Sequence, residues 1–198
     1  MRKIYLNVIK PFLGTLLALI GFLVLSPFML VLVLIICIES PGGAFFTQKR
    51  VGKNKTFFTV YKFRTMRTDA PKDTPTHLLG NPDAHITKIG RFMRKFSLDE
   101  LPQLINVLKQ DMAMVGPRPA LWNQDDLVAE RDKYGANDVR PGITGLAQIR
   151  GRDELPIPVK ARYDGEYVEK ASLFFDIKVL FMTIFAVINA HGVKEGSE

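Results

Sequence analysis

Cysteine and histidine are scarce in this chain, and their scarcity removes whole classes of chemistry. The single cysteine, Cys37, lies in an apolar run without a partner, so no disulfide can form within the chain. His77, His85 and His191 share no ligand spacing, which argues against a zinc site and leaves oxygen as the donor for any metal. No internal repeat of fold-defining size is visible. Charge is missing altogether from residues 11–38, a run longer than the roughly 20 apolar residues that cross a bilayer. The run is too long for a cleaved signal peptide, and no small-residue cleavage site precedes the polar region.

What is present is an excess of positive charge. The 198 residues carry a formal net charge of +7 and a calculated pI of about 9.5, so an anionic partner is expected: acidic lipid, nucleotide or nucleic acid. The length allows one domain with a real core plus an appendage. We divide the chain into a membrane helix, residues 1–40, and a membrane-associated domain, residues 41–198.

Ser26-Pro27 splits the apolar run into limbs of 15 and 11 residues. At about 1.5 Å per residue neither limb alone reaches across the ~30 Å of hydrocarbon. Proline removes a backbone hydrogen bond, and the serine hydroxyl can satisfy the freed carbonyl inside lipid. Arg2, Lys3 and Lys10 precede the run and Lys49, Arg50, Lys53 and Lys55 follow it. Positive charge on both flanks gives no orientation bias and suits two cytoplasmic ends. By themselves these residues favour an ordinary spanning helix with a proline kink.

Beyond a turn at residues 39–43, residues 44–47 and 56–61 read as short strands joined by a basic loop, residues 49–55. The second strand delivers Lys62 and Arg64. Residues 68–84 are polar, proline-rich and aperiodic, hence a long loop. Ile86, Ile89, Met93 and Phe96 mark one face of a basic helix of the kind that lies on anionic membrane. Residues 122–134 are a charged helix candidate facing solvent, and residues 138–148 a turn-rich strand region whose glycines permit close backbone approach. Residues 153–158 read as a loop because Pro158 opposes helix continuation, and residues 163–170 as a mixed polar segment containing Asp164. Residues 173–190 are strongly apolar, but their uncharged part, 179–190, is short for a span. A packed or interfacial helix fits better.

The rest of the chain is organised around residues 91–119. Leu101, Leu104, Ile105 and Leu108 form an apolar helical stripe, and the adjacent carboxylates Asp99 and Glu100 look away from it. Lys88, Arg91, Arg94, Lys95 and Arg118 surround the pair with positive charge, an arrangement suited to phosphate chemistry. The same residues allow a plainer reading, since Ser97 and Glu100 stand in the Ser-x-x-Glu relation of a capping box. Pro102 opposes a helix start at Ser97, because such a helix would need its amide. A start near Pro102 would leave both carboxylates just outside the positive end.

Four blocks then act as a set: Lys62-Phe63-Arg64-Thr65-Met66, Ser97-Leu98-Asp99-Glu100-Leu101-Pro102-Gln103, Gly116-Pro117-Arg118-Pro119 and Val139-Arg140-Pro141-Gly142-Ile143-Thr144-Gly145-Leu146. Together they resemble the bacterial sugar transferase family, and within it the small monotopic phosphoglycosyl transferases. The resemblance implies an α+β, mainly helical fold in which Ser26 and Pro27 break a re-entrant helix-break-helix in the bacterial inner membrane, with the domain on the cytoplasmic face. It implies transfer of a sugar phosphate from a UDP-sugar to a polyprenol phosphate, normally undecaprenyl phosphate, with release of UMP and a requirement for Mg²⁺. By the same resemblance Asp99 is the nucleophile, Glu100 assists through the metal, and Lys62, Arg94, Arg118, Arg152 and Asp164 surround the phosphates or nucleotide. Inner-membrane lipid is the implied environment, a homodimer is allowed, and the spread of cations over several elements opposes nucleic-acid binding. The rival from another class is a non-catalytic, membrane-anchored module that binds anionic lipid. Which sugar is carried does not follow from these motifs.

Overall fold

The computed structural model describes residues 2–70, 84–151 and 155–188. Helix α1, Arg2–Glu39, opens with a π-helical stretch at Tyr5–Ile9. Among the described residues it is the one helix long and apolar enough to cross a membrane. It runs without interruption through Ser26-Pro27, as those residues by themselves favour. The reason is local. Pro27 cannot donate to the carbonyl of Leu23, four residues back, and the Ser26 hydroxyl donates to that carbonyl instead, at 2.9 Å.

One stripe of α1 is inward: Lys10, Gly14, Ala18, Met29, Leu32 and Ile36 are buried, and Phe22 and Leu25 fill the gap between them as partly buried packing partners. Steps of three and four residues keep that stripe on one side of an α-helix along its whole length. The remainder of the chain packs on it. A hairpin of β1, Phe45–Val51, and β2, Phe57–Phe63, pairs antiparallel from Phe45 opposite Phe63 to Val51 opposite Phe57. Both strands are longer than expected. Their turn holds Asn54 and Lys55 at positive φ.

Helix α2, Lys88–Lys95, is capped by Thr87, whose hydroxyl accepts from the amide of Gly90 at 3.0 Å. The Glu39 carboxylate accepts from the amides of Lys88 and Ile89 at 2.8 and 3.1 Å, so the end of α1 supplies an anion to the positive end of α2. Gly90 and Met93 of α2 are buried, as is Ile86 just before it, and Ile89 packs partly buried on the same core; Phe96 is exposed beside Phe92, contrary to the expected stripe. Gly90 is fixed by proximity, since a Cβ there would lie 2.1 Å from the carbonyl oxygen of Thr65.

A 3-10 turn at Leu98–Glu100 leads to α3, Gln103–Leu108. Within α3 the buried Asn106 donates to the carbonyl of Thr59 at 2.7 Å and accepts from the amide of Tyr61 at 3.0 Å, fastening the helix to β2. Strand β3, Ala113–Val115, pairs parallel with β4, Gly142–Thr144. Helix α4, Asp125–Asp132, follows β3 in the chain, and α5, Leu146–Arg150, follows β4. Helix α6, Ile157–Lys170, starts with Pro158 in its first turn, where a missing amide costs nothing. That corrects the loop expected through 158 and gives the mixed polar segment 163–170 a helical conformation. Helix α7, Leu173–Ile188, buries Asp176 and Val179 and exposes Phe174, Phe181 and Phe185. It is a packed helix with an outward apolar face. Most of the 68–84 loop, residues 71–83, lies outside the described residues.

Candidate active site

Asp99 and Glu100 project from the 3-10 turn that joins α2 to α3. Pro102 sits at the N-terminal boundary of α3, and Ser97 is left-handed with φ 55° and makes no side-chain cap bond. The capping box is therefore not formed, and the two carboxylates are not consumed by helix ends. Each side chain retains 13% of its accessible surface, so both are nearly enclosed while still reachable.

Three elements bring cations to the pair. Lys62, at the end of β2, places Nζ 2.6 Å from Glu100 Oε1 and 3.9 Å from Asp99 Oδ2. Arg118, in the segment after β3, donates from Nη1 to the same Oε1 at 3.1 Å. Arg94, on the last turn of α2, holds its Nε against Thr65 Oγ1 at 2.9 Å, and its charge also acts on Asp99.

The carboxylates respond in opposite directions. Burial pushes Asp99 up, with Lys62, Arg94 and Arg118 pulling against it and the neighbouring Glu100 charge adding to the rise. Burial acts on Glu100 too, but there the charges and hydrogen bonds of Lys62 and Arg118 outweigh it and hold the group well below the usual carboxylate range. Two adjacent acids pushed apart in this way carry different roles. Asp99 is the more basic of the two carboxylates, and Glu100 is held as an anion.

Asp164 is placed elsewhere. It is buried in α6 with 1% of its surface exposed and pairs with Arg131, whose Nε donates at 2.8 Å and whose Nη2 lies 2.6 Å away. Arg131 Nη2 also donates to the backbone carbonyl of Arg118 at 2.9 Å. Asp164 thus reaches the carboxylate pair through Arg131 and the Arg118 backbone. Arg131 is not among the residues that the sequence marks as functional, because its segment reads as facing solvent. Its only signal was the i, i+4 relation to Leu127, the other buried residue of α4. Arg64, delivered by the same block as Lys62, turns away and donates to the carbonyls of Ser40 and Pro41 at 2.6 Å each, beyond the C-terminal end of α1. Arg152 lies outside the described residues.

The glycine-bearing blocks explain each other. A Cβ on Gly116 would lie 2.6 Å from the carbonyl oxygen of Arg140, one on Gly142 would lie 2.1 Å from the amide nitrogen of Gly116, and one on Gly145 would lie 2.1 Å from the carbonyl oxygen of Gly116. These distances are shorter than any side chain tolerates, so the backbone that presents Arg118 rests directly on the backbone around β4. The amide of Gly116 donates to Thr144, and that of Gly142 to Pro117, at 2.8 and 2.9 Å.

Among the described residues no group of three or more His, Cys, Asp or Glu could hold a metal by itself. Mg²⁺ does not require one, since it is commonly held by one or two carboxylates together with substrate phosphates and water. Two adjacent, nearly enclosed carboxylates with oxygen as the only donor type fit that pattern.

Comparison with known proteins gives a consistent result. The profile described as bacterial sugar transferase matches residues 5–190. A protein from Bacillus subtilis named uncharacterized sugar transferase EpsL is 39% identical over 170 residues, covering 86% of this chain and 82% of that protein. A UDP-N-acetylgalactosamine-undecaprenyl-phosphate N-acetylgalactosaminephosphotransferase from Aeromonas hydrophila is 35% identical over 194 residues, 94% of this chain and 45% of that protein. An undecaprenyl-phosphate glucose phosphotransferase from Komagataeibacter xylinus is 39% identical over 174 residues, 82% of this chain and 32% of that protein. The chain therefore spans most of the first relative and less than half the length of the other two.

Proposed function

Because the chain belongs to the bacterial sugar transferase family, we propose that it is a phosphoglycosyl transferase moving a sugar 1-phosphate from a UDP-sugar to undecaprenyl phosphate or a related polyprenol phosphate. The observation that carries this reading is the opposed pair on one turn, with Asp99 made more basic and Glu100 held anionic by Lys62 and Arg118. In the first step an Asp99 oxygen attacks the phosphorus that bears the sugar, the bond from that phosphorus to the bridging oxygen breaks, and UMP departs with the electron pair. A phosphosugar is then esterified to Asp99. In the second step an oxygen of the polyprenol phosphate attacks the same phosphorus and expels the carboxylate, which restores the enzyme.

Positioning and charge neutralisation carry most of such a reaction. Lys62 and Arg118 supply fixed positive charge, and the planar fork of Arg118 matches phosphate oxygens. Mg²⁺ bound through Glu100 and Asp99 would neutralise the diphosphate oxygens. UMP release from a panel of UDP-sugars tests the reading. Release should require Mg²⁺, should become catalytic when undecaprenyl phosphate is added, and should single out one sugar. A non-catalytic lipid-binding module would release no UMP from any of them.

We propose further that the protein is monotopic in the bacterial inner membrane, with the domain on the cytoplasmic face and both ends of α1 on that same side. Support comes from how α1 is held. Near its start Lys53 donates to Asn7 at 3.1 Å, along its length Gln110 donates to Thr15, and at its end Glu39 caps α2. A helix gripped by one domain at both ends and between them does not leave that domain behind on one side of a bilayer. Single cysteines at the exposed residues 2 and 59, introduced with Cys37 replaced, should both label from the cytoplasmic face in sealed cells and inverted vesicles. Labelling from opposite faces would establish a spanning helix.

A further inference from the structure

A cavity of about 550 Å³ lies beside the first turns of α1, away from Asp99 and Glu100. None of the transfer chemistry uses it. Its floor is apolar, built by Pro11 and Gly14 of α1 against Val107 and Met112. Its rim carries Arg2, Lys3, Lys53 and Arg140 against Asp138 and Glu169. Lys10 also lines it, but that ammonium is already neutralised by Asp176 at 2.6 Å and is only 8% exposed. Four cations opposed by two carboxylates leave an excess of two positive charges around an apolar space.

That combination suits an anionic amphiphile and neither a plain apolar ligand nor a small polar anion. The surroundings point the same way. Phe12 and Leu16, on the neighbouring turns of α1, are 70% and 46% exposed, so the cavity adjoins a surface that is apolar and open. The helix there is π-helical at Tyr5–Ile9, and this rare geometry, frequent at functional sites, sets Leu6 and Asn7 into the cavity wall. Nor is Gly14 glycine for lack of room. A Cβ there would meet Val107 Cγ1 at an ordinary 3.8 Å, although glycine in a helix costs about 1 kcal/mol relative to alanine.

We propose that this cavity is a binding site for one anionic phospholipid, its phosphate held by the cationic rim and the upper part of its acyl chains laid over Pro11, Gly14, Val107 and Met112. The volume accommodates a headgroup and the first methylenes rather than a whole lipid. The inference rests on membrane association and not on the transferase chemistry.

Native mass spectrometry of the detergent-purified protein tests it, with phosphatidylglycerol, phosphatidylcholine and soluble glycerol 3-phosphate as probes. One phosphatidylglycerol per chain should be retained, at least tenfold in preference to phosphatidylcholine, and glycerol 3-phosphate at the same concentration should neither bind nor compete. Gly14→Leu fills the floor while improving helix propensity, so it should lose the adduct at least tenfold and still melt cooperatively. Lys53→Glu should weaken the adduct similarly, whereas Lys178→Glu, an exposed charge on α7, should retain it. Equal retention of the two phospholipids, an undiminished adduct in Gly14→Leu and Lys53→Glu, or an equal loss in Lys178→Glu would overturn the proposal. UMP release measured on the same samples keeps the outcome separate from the transferase reading.

Discussion

Asp99→Asn should abolish turnover, by about 10⁴-fold or more as expected for loss of a covalent nucleophile, and with it any phosphosugar on the protein. The amide keeps the size of the side chain but discards the attacking anion. Wild-type protein incubated with its UDP-sugar and Mg²⁺, without polyprenol phosphate, should release about one UMP per chain and carry a phosphosugar on the peptide containing Asp99. Glu100→Gln should behave differently. It removes the partner of Lys62 and Arg118 while leaving the nucleophile in place, so the adduct should still form, only slowly. A helix-capping role would have made Asp99→Asn nearly silent, because asparagine caps well. The left-handed Ser97 and the helix start at Gln103 remove the geometry that role requires. If UMP appeared only with both substrates present and no adduct could be trapped, direct transfer would replace the two-step scheme and Asp99 would act as a base or metal ligand.

How much of this site the sequence discloses depends on the range of the interaction that builds each part. Pro102 sets the start of α3 through its own missing amide, a rule confined to a few residues, so the position of Asp99 and Glu100 outside that helix was legible. The hairpin was legible for the same reason, though its strands run longer because cross-strand pairing outlasts local propensity. The pairing of β3 with β4 was not. Each strand has three residues, and what joins them is the mutual approach of Gly116, Gly142 and Gly145, a contact between segments far apart in the chain. Pro158 misled because proline both ends helices and begins them, and only the fold decides which. Ser26-Pro27 did not mislead when taken alone, since the hydroxyl that makes a break tolerable also heals the helix. Arg131 was hidden by its charged neighbours; its burial is a consequence of Asp164, thirty-three residues away.

That buried pair should decide how firmly Arg118 is presented to phosphate. Arg131 is 4% exposed and Asp164 1%, so Asp164→Ala strands a guanidinium in the interior and should cost about 3–5 kcal/mol, a fall in Tm on the order of 10 °C. Loss of activity in that variant would not separate folding from positioning. Replacing both members with apolar residues of similar volume, Arg131→Met with Asp164→Leu, removes the charges together and should leave stability near wild type. It also removes the 2.9 Å hydrogen bond from Arg131 to the Arg118 carbonyl. If the pair acts as a positioning strut, the double variant should fold, bind UDP-sugar nearly normally and lose kcat by about tenfold or more, since small displacements of a positioned group are costly. Arg118→Lys, which keeps the charge but loses the fork, should lower kcat without unfolding the protein. Combining it with the Arg131→Met, Asp164→Leu change should add little, because both act on the same guanidinium. Full kcat in the stable double variant, or a strictly additive combination, would confine Arg131 and Asp164 to holding α4 against α6.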